Sequence, residues 1–250
     1  RERQMLTDLT TMIWKEWKEY FLQRGNMRGG LAGYLVVLGV FGVYLPYQTG
    51  AEWVRSPAPM ALWSWLPLFL VSSLVADSFA GERERGTLEA LLATRLPDRA
   101  ILLGKILALV LYGFAFVVLG ALLALLTVNV AYSGEGLLLY SPMLALGIVA
   151  FGLLFALLAA SAGVLISLRA PTARQAAQTM SIAIMILLFA PILGFQALPA
   201  TLQQQLYLAL GAPERLRPAL LWLSLAIALA DVLAVAACLR RFKRARLLLA

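Results

Sequence analysis

Charged residues divide this chain of 250 into long apolar intervals. Between Arg28 and Glu52 nothing is charged, and Leu31 to Tyr47 reads as a first membrane span that closes near Pro46. The intervals that follow predict further spans at Ala58 to Ala76, Ile106 to Ala131 and Pro142 to Leu168. Each is long enough to supply the roughly 20 helical residues that cross a bilayer, or nearly so. The interval from Arg174 to Glu214 is too long for one crossing, and Pro191, Gly194 and Pro199 interrupt it. A fifth span is therefore placed at Gln175 to Ala197, followed by an outer segment from Leu198 to Pro218. The last span, Ala219 to Leu239, contains a single charge, Asp231. The expected fold class is an all-α membrane protein with six transmembrane helices in one domain over 29–246.

Ahead of the first span, within residues 1–28, the pattern changes. Leu6, Leu9, Ile13, Trp17 and Tyr20 recur at three- and four-residue spacing, while Lys15, Glu16, Lys18 and Glu19 fall mostly elsewhere. That periodicity predicts an amphipathic helix over Leu6 to Arg24 lying in the headgroup region, anchored by Trp14, Trp17 and Tyr20. The alternative is a short soluble helix packed on a partner. No cleavable signal pattern precedes the first span.

Composition agrees with a bilayer as solvent. Hydrophobic residues make up 62% of the chain and charged residues 14%, against roughly 45 to 50% and about 25% in soluble domains. The net charge of +8 does not suggest nucleic acid, because the cations lie between apolar runs and form no basic face. Histidine is absent, which removes the commonest general base and metal ligand, and Cys238 alone can form no intramolecular disulfide. Neither catalysis nor a metal site is expected.

The cations also orient the chain, since Lys and Arg beside spans are retained on the cytoplasmic side. With both ends inside, the inner segments hold 18 of the 21 cations, including the basic tail at 240–250, and the outer segments hold Arg55, Arg215 and Arg217. Adding or losing one span would scramble that alternation.

The most densely charged stretch, Asp77 to Arg99, lies between the second and third spans. Gly86 can end the incoming helix in a left-handed conformation, and Thr87 can cap a new one with Glu89 in its first turn. Leu88, Leu91 and Leu92 give that helix one apolar face; Pro97 stops it and Asp98 suits the cap of the next span. Apolar residues ringed by both charge signs suit a docking surface for a regulated partner. The alternative is a solvated loop.

Glu82-Arg83-Glu84-Arg85-Gly86-Thr87-Leu88-Glu89-Ala90-Leu91-Leu92-Ala93-Thr94, followed by Pro97 and Gly104-Lys105, resembles the motif between the second and third spans of ABC-2 type permeases, the membrane subunits of type V ABC exporters. The start, Trp14-Lys15-Glu16-Trp17-Lys18-Glu19-Tyr20, is similar to that family's N-terminal connecting helix. The likeness implies that 87–95 is a coupling helix, with Glu82, Arg83, Glu84, Arg85, Gly86, Thr87, Leu88, Glu89, Leu91 and Leu92 docking a separate cytoplasmic ATPase. It implies two copies of that ATPase, carrying ATP and Mg, and a second permease, identical or homologous, in a prokaryotic plasma membrane. The chain itself has no Gly-x-x-x-x-Gly-Lys-Ser/Thr loop for phosphate, so no cofactor is assigned to it.

Within the spans, Asp231, Asn129 and Gln178 are candidate polar residues of a translocation path. A charge at Asp231 is costly in lipid and usually faces a cavity or partner. Gly152, Ala156, Ala160 and Gly163 allow close helix packing. Two other functions compete with ATP-driven export of an apolar or amphipathic substrate. An ion-coupled transporter using Asp231 would work without a nucleotide-hydrolysing companion, and a membrane scaffold or assembly factor would dock the same helix without conducting anything.

Overall fold

The computed structural model describes residues 2–22, 27–211 and 213–242, and among these every regular element is helical. In chain order the α-helices are α1 (Glu2–Leu22), α2 (Met27–Leu38), α3 (Leu45–Thr49), α4 (Glu52–Arg55), α5 (Ala58–Ala76), α6 (Glu82–Glu84), α7 (Thr87–Leu92), α8 (Asp98–Ala131), α9 (Pro142–Arg169), α10 (Ala173–Gln196), α11 (Ala200–Gly211) and α12 (Pro213–Arg241). Six stretches among the described residues are long and apolar enough to cross a membrane: Ala32–Thr49, Pro59–Glu84, Asp98–Ala131, Pro142–Arg169, Ala173–Gln196 and Arg217–Arg241. Of the basic tail, Arg240 and Arg241 close α12, and 243–250 lie outside the described residues.

Several helices run past the boundaries that charge alone predicts. Pro46 does not close the first span. The chain widens into a π-turn at Gly39–Tyr44, so Pro46 falls in the first turn of α3, where its missing N–H costs nothing, and Gly50 at φ 59° ends the crossing instead. In the same way α8 starts at Asp98, ahead of Ile106, because extended Pro97 stands at its cap and Asp98 lies in the first turn, where the helix dipole favours an acid. Pro191 and Pro218 are accommodated inside α10 and α12. Within the segment 198–218, residues 200–211 form α11 and 213–218 the first turns of α12.

The helices α5, α8 and α9 form the centre, with Leu68, Val71, Leu109, Phe155 and Ala160 buried between them. Lipid tails are as apolar as leucine, so burial alone does not hold such helices together; close packing and hydrogen bonds do. Gly163 on α9 faces Val75 of α5 at a distance no side chain could share, and Gly152 faces Val117 of α8. A second cluster, with Trp53, Trp63, Val117, Val128 and Ile148, fills the opposite end of the bundle. Outside this centre, α12 leans on α9, and the Cys238 thiol donates to the Ser161 carbonyl at 3.3 Å. Apolar side chains such as Leu35, Ile186, Phe189, Leu225 and Val232 face outward, as expected of helices solvated by lipid.

Candidate functional site

The end of the bundle that carries Asp77 to Arg99 is built as one interlocked unit. Here α5 does not stop at Ala76 but widens into a π-turn at Asp77–Gly81 and runs on into α6. A π-turn leaves backbone groups misaligned, and single turns of this kind recur at functional sites. Ser167 of α9, wholly buried, repairs this one: its hydroxyl accepts from the N–H groups of Phe79 (3.1 Å) and Ala80 (3.0 Å) and donates to the Ala76 carbonyl (3.0 Å). One residue further out, the Arg83 guanidinium donates to the carbonyls of Ala170 (2.7 Å) and Leu168 (3.2 Å), at the end of α9. Any displacement of α6 is therefore felt by both α5 and α9.

Gly86 adopts the left-handed conformation, φ 68° and ψ 12°, and turns the chain between α6 and α7. It also stands at the cap position expected of Thr87, which instead is the first residue of α7 and donates to the Glu82 carbonyl at 3.3 Å. Pro97, extended, likewise takes the cap of α8 and leaves Asp98 in its first turn. The helix α7 ends at Leu92, short of the expected Arg95.

The largest correction concerns which way α7 faces. Leu88, Leu91 and Leu92 are at most 8% exposed, packed into the same core as Met12, Ile101 and Leu102. They anchor the helix and cannot form a free docking surface. Glu82 is buried as well. What α7 and its flanks present outward is Glu84, Arg85, Gly86, Thr87, Glu89 and Ala90, followed by Ala93, Thr94 and Arg95.

Glu82 is buried because it belongs to an ionic cluster, and Lys105 of α8 is the centre of it. The Lys105 ammonium, inaccessible to solvent, lies 2.8 Å from Glu16 of α1 and 2.9 Å from Glu82, donates to the Ser78 carbonyl at 2.9 Å, and stands 5.1 Å from the centre of the Phe79 ring. Lys15 adds a second cation, 2.7 Å from Glu82 and 3.1 Å from Glu16, and reaches Glu19 at 3.0 Å. Two buried carboxylates thus share two ammonium groups. Glu16, Glu19 and Glu82 bring carboxylate oxygens within 4.8 Å of one another, a spacing a metal ion could use, but the lysines already supply the counter-charge there.

The cluster fastens α1 to the bundle. Gly104, one residue before Lys105, allows the approach: a Cβ built there would fall 2.6 Å from Cβ and Cγ of Met12. The Trp17 indole donates to the Ala108 carbonyl at 3.2 Å, and the Tyr20 ring meets Tyr112 edge-on with centroids 6.3 Å apart. Trp17 and Tyr20 are accordingly turned toward α8, and of the expected headgroup anchors Trp14 is the one that faces fully outward, together with Leu6.

Burial alone would raise the Glu16 carboxyl, but Lys105 and then Lys15 outweigh it and hold the group below its usual range. Lys15 is shifted oppositely: burial would lower it, and Glu16 and Glu82 raise it. A depressed carboxylate contributes stability that is present above its unfolded value and lost as pH falls through the folded one; the raised lysine contributes stability lost only at strongly alkaline pH. Docking of α1 should therefore be constant from pH 5 to 9 and fail on acidification below the ordinary carboxylate range near 4.5. Protease cleavage within α1, followed against pH on the purified protein, checks this, and a midpoint near neutrality would contradict it.

The polar candidates inside the spans separate. Asn129 donates to the carbonyls of Leu125 (2.8 Å) and Leu138 (2.7 Å) and accepts from the Leu138 N–H (2.9 Å), so it ties the loop before α9 to α8. Gln178 is exposed on α10. Asp231 is 2% exposed, shares one face of α12 with Ile227 and Cys238, and neither carboxylate oxygen has a hydrogen-bond partner among the described residues. The three do not converge on one site. Sequence reasoning did not bring Glu16, Lys15 and Lys105 together; the signal available was the Gly104-Lys105 pair, a small residue followed by a cation at the start of an apolar helix.

A bundle of six candidate spans with a short helix packed across one end defines a multi-pass helical membrane protein. The sequence profile described as ABC-2 type transporter matches residues 7–204, most of the chain, and the protein belongs to that family of transporter membrane subunits. The match begins in α1 and ends in α11, so α12 with Asp231 lies beyond it. No curated protein matches this chain.

Proposed function

We propose that this chain is the permease of an ATP-driven exporter, moving an apolar or amphipathic substrate with ATP hydrolysed by a separate cytoplasmic subunit. Its cation-rich end, with both termini, faces the cytoplasm of a prokaryotic cell. Two such permeases, identical or homologous, enclose the path, and two ATPases holding ATP and Mg grip them from below. The observation that carries this reading is the clamp on α7. Its leucine face is sunk into the core, its entry is tied to α9 through Arg83 and to α1 and α8 through Glu82, and its polar face is open. A push on that face would reach α9 through Arg83 and α1 and α8 through Glu82, with α5 continuous with α6.

Domain organisation follows the same logic. The region 1–28 serves as a connecting helix, 87–95 as the coupling segment, and the remainder to 246 as one transmembrane domain. The polar face now defines the residues for the test. Glu89→Lys combined with Ala90→Arg changes only exposed positions of α7, so stability should stay within about 0.5 kcal/mol. Co-purification of the ATPase should be lost, and substrate export should fall at least tenfold. Undiminished ATPase association in that variant would remove the basis of the proposal. Leu91→Asp is unsuitable for this purpose, since it would bury a charge in the core.

A further inference from the structure

A cleft at the basic end, separate from the ionic cluster, lies where the ends of three spans meet. It is walled by Leu165, Ile166 and Arg169 of α9, Gln175 and Thr179 of α10, and Ala237 and Arg241 of α12, and its volume is about 390 Å³. That is within the roughly 300 to 1,000 Å³ of ligand-binding pockets. Its chemistry is divided. Leu165, Ile166 and Ala237 make an apolar wall, and two guanidinium groups with an amide and a hydroxyl make the polar part. Arg169 and Arg241 are the last residues of two candidate spans, so the cleft sits at the level where hydrocarbon gives way to headgroups.

We infer that this cleft binds the headgroup of an anionic phospholipid. A cation in the last turn of a helix is favoured by the helix dipole alone, which would account for either arginine singly. It does not account for two such ends being set on one cavity, with no carboxylate among the described residues paired to either guanidinium. An arginine fork is suited to phosphate oxygens. The first turn of α10, capped by Thr172 through the Gln175 N–H, turns its positive end toward the same region. The apolar wall is what selects a lipid over a soluble phosphate, because it continues the surface that acyl chains already cover. Basic pockets between span ends are places where anionic headgroups are recognised. A lipid seated here would bridge α9, α10 and α12, whose mutual contacts are otherwise sparse beyond α9 with α12.

The test uses the full chain purified in detergent and titrated with phosphatidylglycerol or phosphatidylcholine, read by native mass spectrometry and by thermal stabilisation. Phosphatidylglycerol should be retained in preference to phosphatidylcholine, and R169Q/R241Q should weaken its binding about tenfold or more. Since losing two cations could disturb insertion, Ala237→Phe offers an independent check: it fills the cleft, leaves both arginines in place, and should abolish the stabilisation by phosphatidylglycerol. R169K/R241K, which keeps both charges but not the fork, should bind phosphatidylglycerol more weakly than the parent and more tightly than R169Q/R241Q. Equal binding of both lipids, or unaltered binding in the Ala237→Phe protein, would overturn the inference. Displacement of the lipid by millimolar glycerol phosphate would also overturn it, by showing that the headgroup alone is read.

Discussion

Methionine in place of Lys105 is expected to destabilise the basic end of the protein by about 3 to 5 kcal/mol, the usual consequence of removing one partner from a buried ion pair. Methionine nearly preserves the volume, so the loss is electrostatic. Glu16 and Glu82 would be left with Lys15 as their counter-charge, and the Ser78 carbonyl would lose its donor. Detergent-solubilised protein should melt earlier, and α1 should become cleavable under conditions where the parent is protected. The decisive comparison is the triple variant Lys105→Met, Glu16→Gln, Glu82→Gln. With no uncompensated charge left to bury, it should regain a large part of the lost stability. It should not regain transport, because the link from α7 to α1 through Glu82 would be gone. Should Lys105→Met melt with the parent, the cluster is not what holds α1.

The second large effect is steric. Valine at Gly104 would place its Cβ in the space taken by Met12 and force α1 away from α8. Overpacking of this sort costs about 1 to 3 kcal/mol, and here the strain has a definite release, the undocking of α1 with loss of the bond from Trp17 to the Ala108 carbonyl. Trp fluorescence should shift toward that of a solvated indole, and ATPase-coupled transport should decline with it. Met12→Ala added to Gly104→Val makes room and should restore part of the docking, so the two changes together should do less harm than their sum. Additive effects would mean that the Met12 contact is incidental.

These two residues also show where reading the chain stops. The pair Gly104-Lys105 is visible in the sequence, but its partners are Met12, Glu16 and Glu82, and Lys105 and Glu16 are 89 positions apart. Periodicity reports which face of a helix is apolar; it is silent on what covers that face. For α7 this matters most. The spacing of Leu88, Leu91 and Leu92 is the same whether the leucines face a partner or the protein's own core, and the structure puts them in the core. Asn129 shows the same limit, since an amide in a span can serve a pathway or a nearby loop, and it was the structure that brought it to Leu138.

The sequence by itself determined that the chain lives in a bilayer, that it crosses six times as helices, and that a short helix beginning beyond Gly86 is set off between the second and third crossings. These follow from local quantities: the length of charge-free runs, the absence of water to satisfy exposed backbone, and the left-handed geometry that glycine alone accepts readily. Only the tertiary structure decided which face of that helix is free, that the first helix is bolted on by buried charge, and that two arginines from distant spans share one cleft. Each of these depends on residues far apart in the chain meeting in space, and the energy of a buried charge is set by such neighbours rather than by its own position along the sequence.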